Sequence, residues 1–461
     1  MNRIMLKSFL AVVSALVGAE AAAGETDYTQ GILIVNEDWY GHQNSTVNFL
    51  VPDDPDGDYW HYRVIQEENP GKELGCTNQY GAVWGDRLYL IAKQEKDPGA
   101  TITGGRITVA DARTLKILHQ QSEIDPSGAQ CDGRGFVGVD AHKGYVSSSN
   151  GIWIFDLDTY EIKGQVEGSA NPNAGGGNDR PNTDPTGSLY HGQSGTMVAA
   201  AGRIFAAHQQ YGLLVIDPVA DKVTDVISLS IVNEKASIGS VVKSKDGSLW
   251  ISVAKDNSGR GAAENVLVKV DPETLATEIV NCPADMYGPS NSWYAWTPDA
   301  FVASECSNTL FWKGGKNSWF SGTSIYKYDI DKGEQTLFVD LAAEGENWKL
   351  YGCSLGVDPR NDDVYMSLYH EFGTPTYITR RYDSNGNKIR DYEMISNYWF
   401  PSNMIFRSGD SGVTEMEEET GGEIDFSLPY EIYTLDGRRV AEFERGIYIV
   451  RQGNKVMKIA K

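Results

Sequence analysis

The sequence is poor in positive charge. Its 461 residues include 40 Lys and Arg against 63 Asp and Glu, which gives a formal net charge of −23. A chain this acidic repels phosphate backbones and anionic lipid surfaces. Nucleic acid is therefore excluded as a favoured partner, and so are acidic membrane faces.

Cysteine is also scarce. The chain has five, at Cys76, Cys131, Cys282, Cys306 and Cys353. No two of them form a C-x-x-C pair, so the sequence carries neither the usual zinc spacing nor a redox motif. An odd number leaves at least one thiol unpaired. One or two disulfides and buried free thiols both remain open, because spacing does not determine pairing.

The spacings that mark common catalytic and metal sites are absent as well. The seven histidines form no H-x-x-x-H or H-E-x-x-H pair, and there is no G-x-S-x-G elbow. Two Asp-rich segments, 53–58 and 383–391, lack the glycine and the final glutamate of an EF-hand calcium loop, so we interpret both as turns. We expect a non-enzymatic protein with no catalytic residue, metal or cofactor.

Only one long apolar run is present, and it lies near the N-terminus. Arg3 and Lys7 precede the run from Ser8 to Ala19, and Ala21 and Ala23 follow in an A-x-A arrangement. This order predicts a signal peptide over residues 1–23 and an exported mature chain. The run is too short for a permanent membrane span. No cysteine stands at the cleavage site, so an N-terminal lipid anchor is not supported.

Glycine and tyrosine are abundant, with 49 and 24 copies, which favours strands and turns over helices. The middle of the chain repeats a unit that ends in an apolar strand and an aspartate. The six aspartates lie 45 to 61 positions apart, at Asp111, Asp156, Asp217, Asp271, Asp329 and Asp383. Turn residues follow most of them, so we predict that each carboxylate accepts hydrogen bonds from turn amides rather than acting in catalysis.

Each unit begins with a strand of small residues followed by an aromatic strand, as in 81–84 and 88–90. Four strands per unit are typical of a propeller blade, in which small residues suit the innermost strand. The segments 31–37 and 46–51 resemble later strands of a blade whose first strand, 402–406, lies at the other end of the chain. The sequence therefore predicts an all-β fold, a closed seven-bladed β-propeller.

The composition changes after the last propeller strand. Residues 408–426 are rich in Gly, Glu and Thr, which indicates a solvated acidic linker. Three short strand-like segments follow over residues 427–461, too few for an independent stable core. We predict a signal peptide (1–23), a propeller (24–407), a linker (408–426) and a small C-terminal β-strand tail (427–461). The Gly-rich insertion 168–188 is either a lid or a disordered loop.

Aromatic and amide side chains concentrate in the loops that a propeller gathers at one end of its central channel. They suit a large ligand with a flat apolar body and an amide-bearing edge. The alternative is that the rings pack between blades. The candidate ligand-binding residues are Trp39, Tyr40, Tyr80, Arg134, His208, Gln209, Tyr211, Trp293, Tyr294, Trp312, Tyr369, His370, Tyr398 and Trp399.

Four segments carry a family resemblance: Asn36–Gly41, Gly104–Arg106, Ser292–Asp299 and Asn397–Ser402. They resemble a bacterial propeller family of YncE-like architecture that includes surface cobalamin-capture proteins of gut bacteria, partners of TonB-dependent outer-membrane transporters. Those surface proteins are lipoproteins, whereas this chain has no lipidation cysteine. The tail instead resembles type IX secretion sorting domains, which implies delivery to the cell surface by another route.

The resemblance implies a cell-surface or extracellular protein, with the periplasm as an alternative location. It implies capture of a cobalamin-like corrinoid for a TonB-dependent transporter, and we expect a monomer. His208 or His370 would be the candidate axial cobalt ligand, with a structural histidine as the alternative. The rival hypotheses are a propeller enzyme of the lyase or glycan-degrading kind and a protein-interaction or adhesion module.

Overall fold

Strands make up nearly all of the regular structure. The computed structural model describes residues 27–174, 189–257, 263–289, 300–315, 321–408, 430–434, 439–440, 447–452 and 455–460. The predicted signal peptide, residues 175–188 of the insertion and most of the linker lie outside the described residues. One short helix, α1 (Val64–Glu68), and two 3-10 segments, Leu189–His191 and Leu229–Ile231, interrupt the strands.

The strands are numbered in chain order. They are β1 (Gln30–Asn36), β2 (Thr46–Leu50), β3 (Trp60–His61), β4 (Cys76–Trp84), β5 (Arg87–Gln94), β6 (Ile107–Asp111), β7 (Ile117–Gln121), β8 (Gly133–Gly138), β9 (Lys143–Ser148), β10 (Gly151–Asp156), β11 (Ile162–Gln165), β12 (Ser194–Ala200), β13 (Arg203–His208), β14 (Gly212–Asp217), β15 (Lys222–Ile227), β16 (Ser237–Lys243), β17 (Leu249–Ala254), β18 (Ala263–Val270), β19 (Thr277–Asn281), β20 (Phe301–Ala303), β21 (Thr309–Gly314), β22 (Ser321–Gly322), β23 (Ser324–Asp329), β24 (Glu334–Asp340), β25 (Lys349–Val357), β26 (Val364–Tyr369), β27 (Tyr377–Tyr382), β28 (Lys388–Glu393), β29 (Pro401–Ser408), β30 (Glu431–Thr434), β31 (Arg439–Val440), β32 (Ile447–Gln452) and β33 (Lys455–Ala460).

Seven small antiparallel sheets form a seven-bladed β-propeller, as the sequence predicts. Six blades follow the chain in order, from β4–β7 to β25–β28, and the last of these carries the short extra strand β22. The innermost strands of the blades are β29, β4, β8, β12, β16, β20 and β25. Each of them contacts the next, and β25 contacts β29, so the ring closes around a central channel.

The seventh blade joins the two ends of the propeller. Its strand order is β29-β1-β2-β3, with β29 innermost. Ile34 of β1 pairs with Met404 of β29 in antiparallel register, and both Ile34 and Leu33 are fully buried. This pairing confirms the predicted closure. It leaves no open edge on an inner strand, which is how a propeller avoids unpaired strand backbone.

Most of the core lies between blades, where β-branched and aromatic side chains of neighbouring sheets pack. Phe205 and Val215 of one blade, for example, share a buried cluster with Ile251 and Val268 of the next. The repeated aspartates cap turns, as predicted: Asp156 accepts hydrogen bonds from the amides of Asp158 and Thr159. The equivalent bonds occur at Asp111, Asp217, Asp271, Asp329 and Asp383.

The C-terminal tail contains one further sheet, with strand order β31-β30-β32-β33. It has four strands where the sequence indicates three segments, because β30 also pairs with the short strand β31, with Ile432 opposite Val440. The assignment of the tail as a sorting domain stays a prediction.

Two further expectations are resolved here. All five cysteines are free, so the disulfide alternative does not hold. The segment 53–58 is a turn in which Asp54 accepts hydrogen bonds from the amides of Asp56 and Asp58, and Asp383 caps a turn in the same way, but residues 388–391 belong to β28, so the prediction of a turn was wrong for them. None of the helices among the described residues has the length and apolarity that crossing a bilayer requires.

Candidate ligand-binding site

The propeller has two different ends. The upper face is defined here as the end at which the inner strands begin, at Cys76 of β4, Gly133 of β8 and Pro401 of β29. The lower face is the end at which those strands finish, at Trp84 and Ser408. Most of the described residues that the sequence predicts as ligand-binding lie in or next to loops of the upper face, whereas Tyr80 lies in the middle of β4 and Trp312 in β21.

An aromatic patch lies on the upper face where the last two blades meet. It consists of Trp39, His42, Phe372 and Tyr398, from three different loops. The Trp39 ring lies at its centre, 4.4 Å from Tyr398, 4.6 Å from His42 and 6.5 Å from Phe372, between ring centroids. Phe372 is 64% exposed, although large apolar rings are usually covered. The patch thus presents apolar ring area to solvent.

Buried polar contacts hold the loop that carries Trp39. Asp38 has the left-handed backbone conformation, with φ of 57°, and the Thr46 hydroxyl donates a hydrogen bond to its carboxylate over 2.7 Å. The Gly41 amide donates to Asp97 over 2.6 Å. Burial raises the pKa of Asp38 well above its usual range. Because the two ends of this turn are bonded to β2 and to the β5–β6 loop, the backbone that carries Trp39 is held in place before any ligand binds.

A polar cavity of about 440 Å³ opens beside the patch, under Tyr40. Tyr40 is 56% exposed, and the other walls come from the β5–β6 loop and the segment before β8. Two cations and two carboxylates line it, and one pair, Arg106 and Glu95, is in contact at 2.7 Å. With its charges balanced, the cavity suits neutral groups such as amides or hydroxyls. Its polar side chains are Gln94, Glu95, Lys96, Arg106, Glu123 and Gln130.

A buried polar chain crosses the upper channel from the second blade to the third. Arg134 Nε donates to the side-chain oxygen of Gln193 over 3.0 Å. The backbone N–H of Gln209 donates to the backbone carbonyl oxygen of Gln193 over 2.8 Å. His208 stacks on Tyr211, with ring centroids 4.5 Å apart. Burial lowers the pKa of His208 to about 4, so its imidazole is neutral at physiological pH. The structure therefore brings four predicted residues together here.

Three other predicted residues pack inside the protein, and a fourth is half-buried. Trp312 is fully buried and donates its indole N–H to the Tyr287 carbonyl oxygen over 2.8 Å. Trp399 is 1% exposed and stacks on Tyr62. Tyr369 is also buried, whereas Tyr80 is half-buried and lines a cavity of the lower face, with its hydroxyl donating to the Phe136 carbonyl oxygen over 2.5 Å. For Trp312, Trp399 and Tyr369 the alternative of packing within and between blades holds, because these rings are buried.

The remaining predicted residues divide into two groups. His370 is half-buried and stacks on Trp348, with centroids 3.6 Å apart, next to the loop that carries Phe372. Trp293 and Tyr294 lie outside the described residues. Among the residues described, no group of three His, Cys, Asp or Glu side chains has the geometry to hold a metal ion.

Sequence reasoning missed several residues of this face. Phe372 belongs to the aromatic patch, and Gln94, Gln130 and Gln193 contribute amides. Phe372 had a visible signal, since it follows Tyr369 and His370 in a loop between a second and a third strand. The glutamines had none, because their positions depend on how neighbouring blades are rotated about the channel.

The comparisons with known proteins identify a family. A family model described as "Domain of unknown function (DUF5074)" matches residues 30–407, which covers the propeller. The chain belongs to this family. No curated protein matches it.

Solved structures with a similar chain course include a protein of unknown function from Bacteroides caccae. It has 11% identity and a TM-score of 0.40, and the match covers 70% of this chain and all of the other. A second is a chain of the Mitotic Checkpoint Complex, with 11% identity, a TM-score of 0.44 and full coverage of both chains. Similarities this low carry no information about a ligand.

Proposed function

We propose that this DUF5074 protein is a non-enzymatic binding protein that captures a cobalamin-like corrinoid on its upper face. In this proposal the chain is exported to the cell surface and passes its ligand to a TonB-dependent outer-membrane transporter. The observation that carries the proposal is the partly exposed Trp39 ring at the centre of the aromatic patch.

The chemistry of the upper face supports a ligand with two kinds of surface. The aromatic patch offers apolar rings that cover a flat macrocycle, and the cavity under Tyr40 offers amide and paired charged groups for polar substituents. Trp39 and Tyr40 are consecutive, so one loop belongs to both parts. A corrinoid has this combination, an extended ring bearing amide side chains.

An axial histidine is not needed for this mode of binding. His208 is fully buried and already stacked on Tyr211. His370 stacks on Trp348. Both behave as structural side chains, so the proposed affinity comes from ring contacts and hydrogen bonds, with contributions concentrated in a few central residues.

Calorimetric titration with cyanocobalamin tests the proposal. We expect Trp39→Ala to weaken binding at least about tenfold, or roughly 1.4 kcal/mol, as for a central aromatic anchor. The matched control is Trp84→Ala, since Trp84 is a partly exposed tryptophan on the lower face. Thermal melting of both variants identifies a temperature at which each is folded, and the titrations are compared at that temperature.

Two results would contradict corrinoid capture. The first is no measurable heat with the intact protein at micromolar concentration. The second is equal loss of affinity in both tryptophan variants. Turnover of a glycan or a polysaccharide lyase substrate would favour the enzyme alternative, and capture of a polypeptide without any small molecule would favour the adhesion alternative.

Delivery to the surface is tested separately by cell fractionation. We expect the full chain at the cell exterior and a chain ending at Ser408 in the periplasm, folded in both cases. The tail proposal fails if the shortened chain is still displayed on the surface.

A further inference from the structure

A second cavity opens at the lower face, at the other end of the channel from the aromatic patch. Its volume is about 520 Å³, within the range of roughly 300–1,000 Å³ typical of small-molecule sites. Inner-strand ends of three blades form its apolar wall, with Val83, Val137, Val139, Val198 and Ala199 among the lining residues. Several of these side chains are half-buried rather than covered, and Ala199 is exposed.

Trp84 is built into this wall in a defined orientation. Its indole N–H donates to the Asp140 carbonyl oxygen over 3.0 Å, so the polar atom of the ring is satisfied. The ring lies directly against Gly138, where an added Cβ would come within 2.1 Å of the indole. Only glycine allows this approach. The arrangement leaves an apolar ring as part of the cavity lining.

Positive charge lies at the edge of the cavity. Arg203 and Lys243 are among its lining residues, from the third and fourth blades. Arg203 donates to the Glu273 carbonyl oxygen over 3.0 Å, and within the described parts of the chain its guanidinium forms no ion pair. The protein as a whole has a net charge of −23, so this cationic edge differs in sign from the overall charge.

We propose that the lower-face cavity is a second binding site, for a small amphipathic anion with an aliphatic or aromatic body and a carboxylate or sulfonate end. The apolar wall would cover the body and Arg203 would face the anionic end. The ligand is a free molecule rather than a bilayer lipid, since the strong negative charge of the chain opposes docking on an anionic membrane. This site is independent of corrinoid binding, because it lies at the opposite end of the channel.

Fluorescence titration with 1-anilinonaphthalene-8-sulfonate tests the proposal on the full mature chain. We expect saturable binding of one molecule per chain, displaced by decanoate but not by decyltrimethylammonium at the same concentration. Ala199→Glu should weaken binding at least tenfold, whereas Ala199→Lys should keep or strengthen it. The two replacements place similar bulk and opposite charge at one exposed position, so a purely steric effect would reduce binding in both.

Val226→Glu provides the control for added negative charge, because Val226 is exposed on the outer strand β15. It should leave dye binding unchanged, and thermal melting should show that all three variants remain folded. Trp39→Ala should also bind the dye normally, whatever its effect on corrinoid binding. The proposal is overturned if Ala199→Glu binds like the parent protein, or if the cationic amphiphile competes as well as decanoate.

Discussion

The side-chain amide of Gln79 donates a hydrogen bond to the Glu37 carboxylate over 2.7 Å, and both residues are buried. Glu37 follows β1 in the closing blade, whereas Gln79 lies in β4, the inner strand of the next blade. The bond therefore joins the closing blade to the first blade of the chain. Burial raises the pKa of Glu37, while the nearby ammonium of Lys93 and the Gln79 amide act in the opposite direction.

Removal of this donor should destabilise the contact between the closing blade and the first blade. In Gln79→Ala the Glu37 carboxylate stays buried without the amide, which we expect to cost about 1–3 kcal/mol of unfolding free energy. Gln335→Ala is the control, because Gln335 bonds to the Asn281 carbonyl oxygen from the outer strand β24 and should lose less than about 0.5 kcal/mol. Denaturant titration of both variants measures the difference. Equal unfolding free energies of the two variants would show that the Glu37 bond does not stabilise the contact between these two blades.

Closure also predicts a sharp dependence on where the chain ends. A chain that stops after Ser408 keeps β29 and should melt like the full protein. A chain that stops after Phe400 loses β29, which exposes the buried edge of β1 at Ile34 and opens the ring. We expect that shorter chain to be digested rapidly by protease at a temperature at which the longer one resists. If the two were equally resistant, β29 would not be the closing element.

The fold was predictable because its signals are local and repeated. Asp111 and Asp271 each end a strand and precede turn residues, so their capping role can be seen in a short window of sequence. The closing strand was predictable because 402–406 has the small first-strand pattern without the strands that should follow it. Such patterns record backbone geometry, which a propeller repeats in every blade.

The site was only partly predictable, because exposure of a ring depends on neighbours from other blades. Trp39 and Trp399 look alike in sequence, yet Trp39 is partly exposed and Trp399 is enclosed between Tyr62 and its own loop. The lower-face cavity left no sequence signal either. Its wall consists of the same small inner-strand residues that line any blade near the axis.

Free thiols lead to a chemical prediction. Burial raises the pKa of Cys76, Cys131 and Cys282 to about 12, so these groups are protonated at neutral pH and should react slowly with a disulfide reagent in the folded protein. In denaturant without reductant, the chain should titrate with five thiols per molecule. Reductant should not change the melting temperature. A count of three or one in denaturant would reveal disulfides and contradict the free-cysteine arrangement.

The capped turns predict how stability responds to acid. The amides of Thr159 and Asp158 lower the pKa of Asp156 by stabilising its carboxylate. A carboxyl with a lowered pKa in the folded state contributes stability that is fully present above its unfolded pKa and is lost as pH falls through its folded pKa. Its contribution should therefore be complete at pH 7, begin to decline near pH 4, where the unfolded carboxyl titrates, and be lost only below the lowered pKa of the folded state.

Asp156→Asn isolates this effect at one turn. At pH 7 the variant should melt roughly 1–2 °C below the parent protein, because a neutral amide accepts the turn hydrogen bonds less strongly than a carboxylate. As the pH falls through the lowered pKa of Asp156 the difference should shrink, and it should vanish where the parent carboxyl is also neutral. Asp225→Asn is the control, because Asp225 is exposed in the middle of the outer strand β15 and caps no turn. A deficit in Asp156→Asn that stays constant from pH 7 to pH 3 would show that the charge of the cap does not contribute.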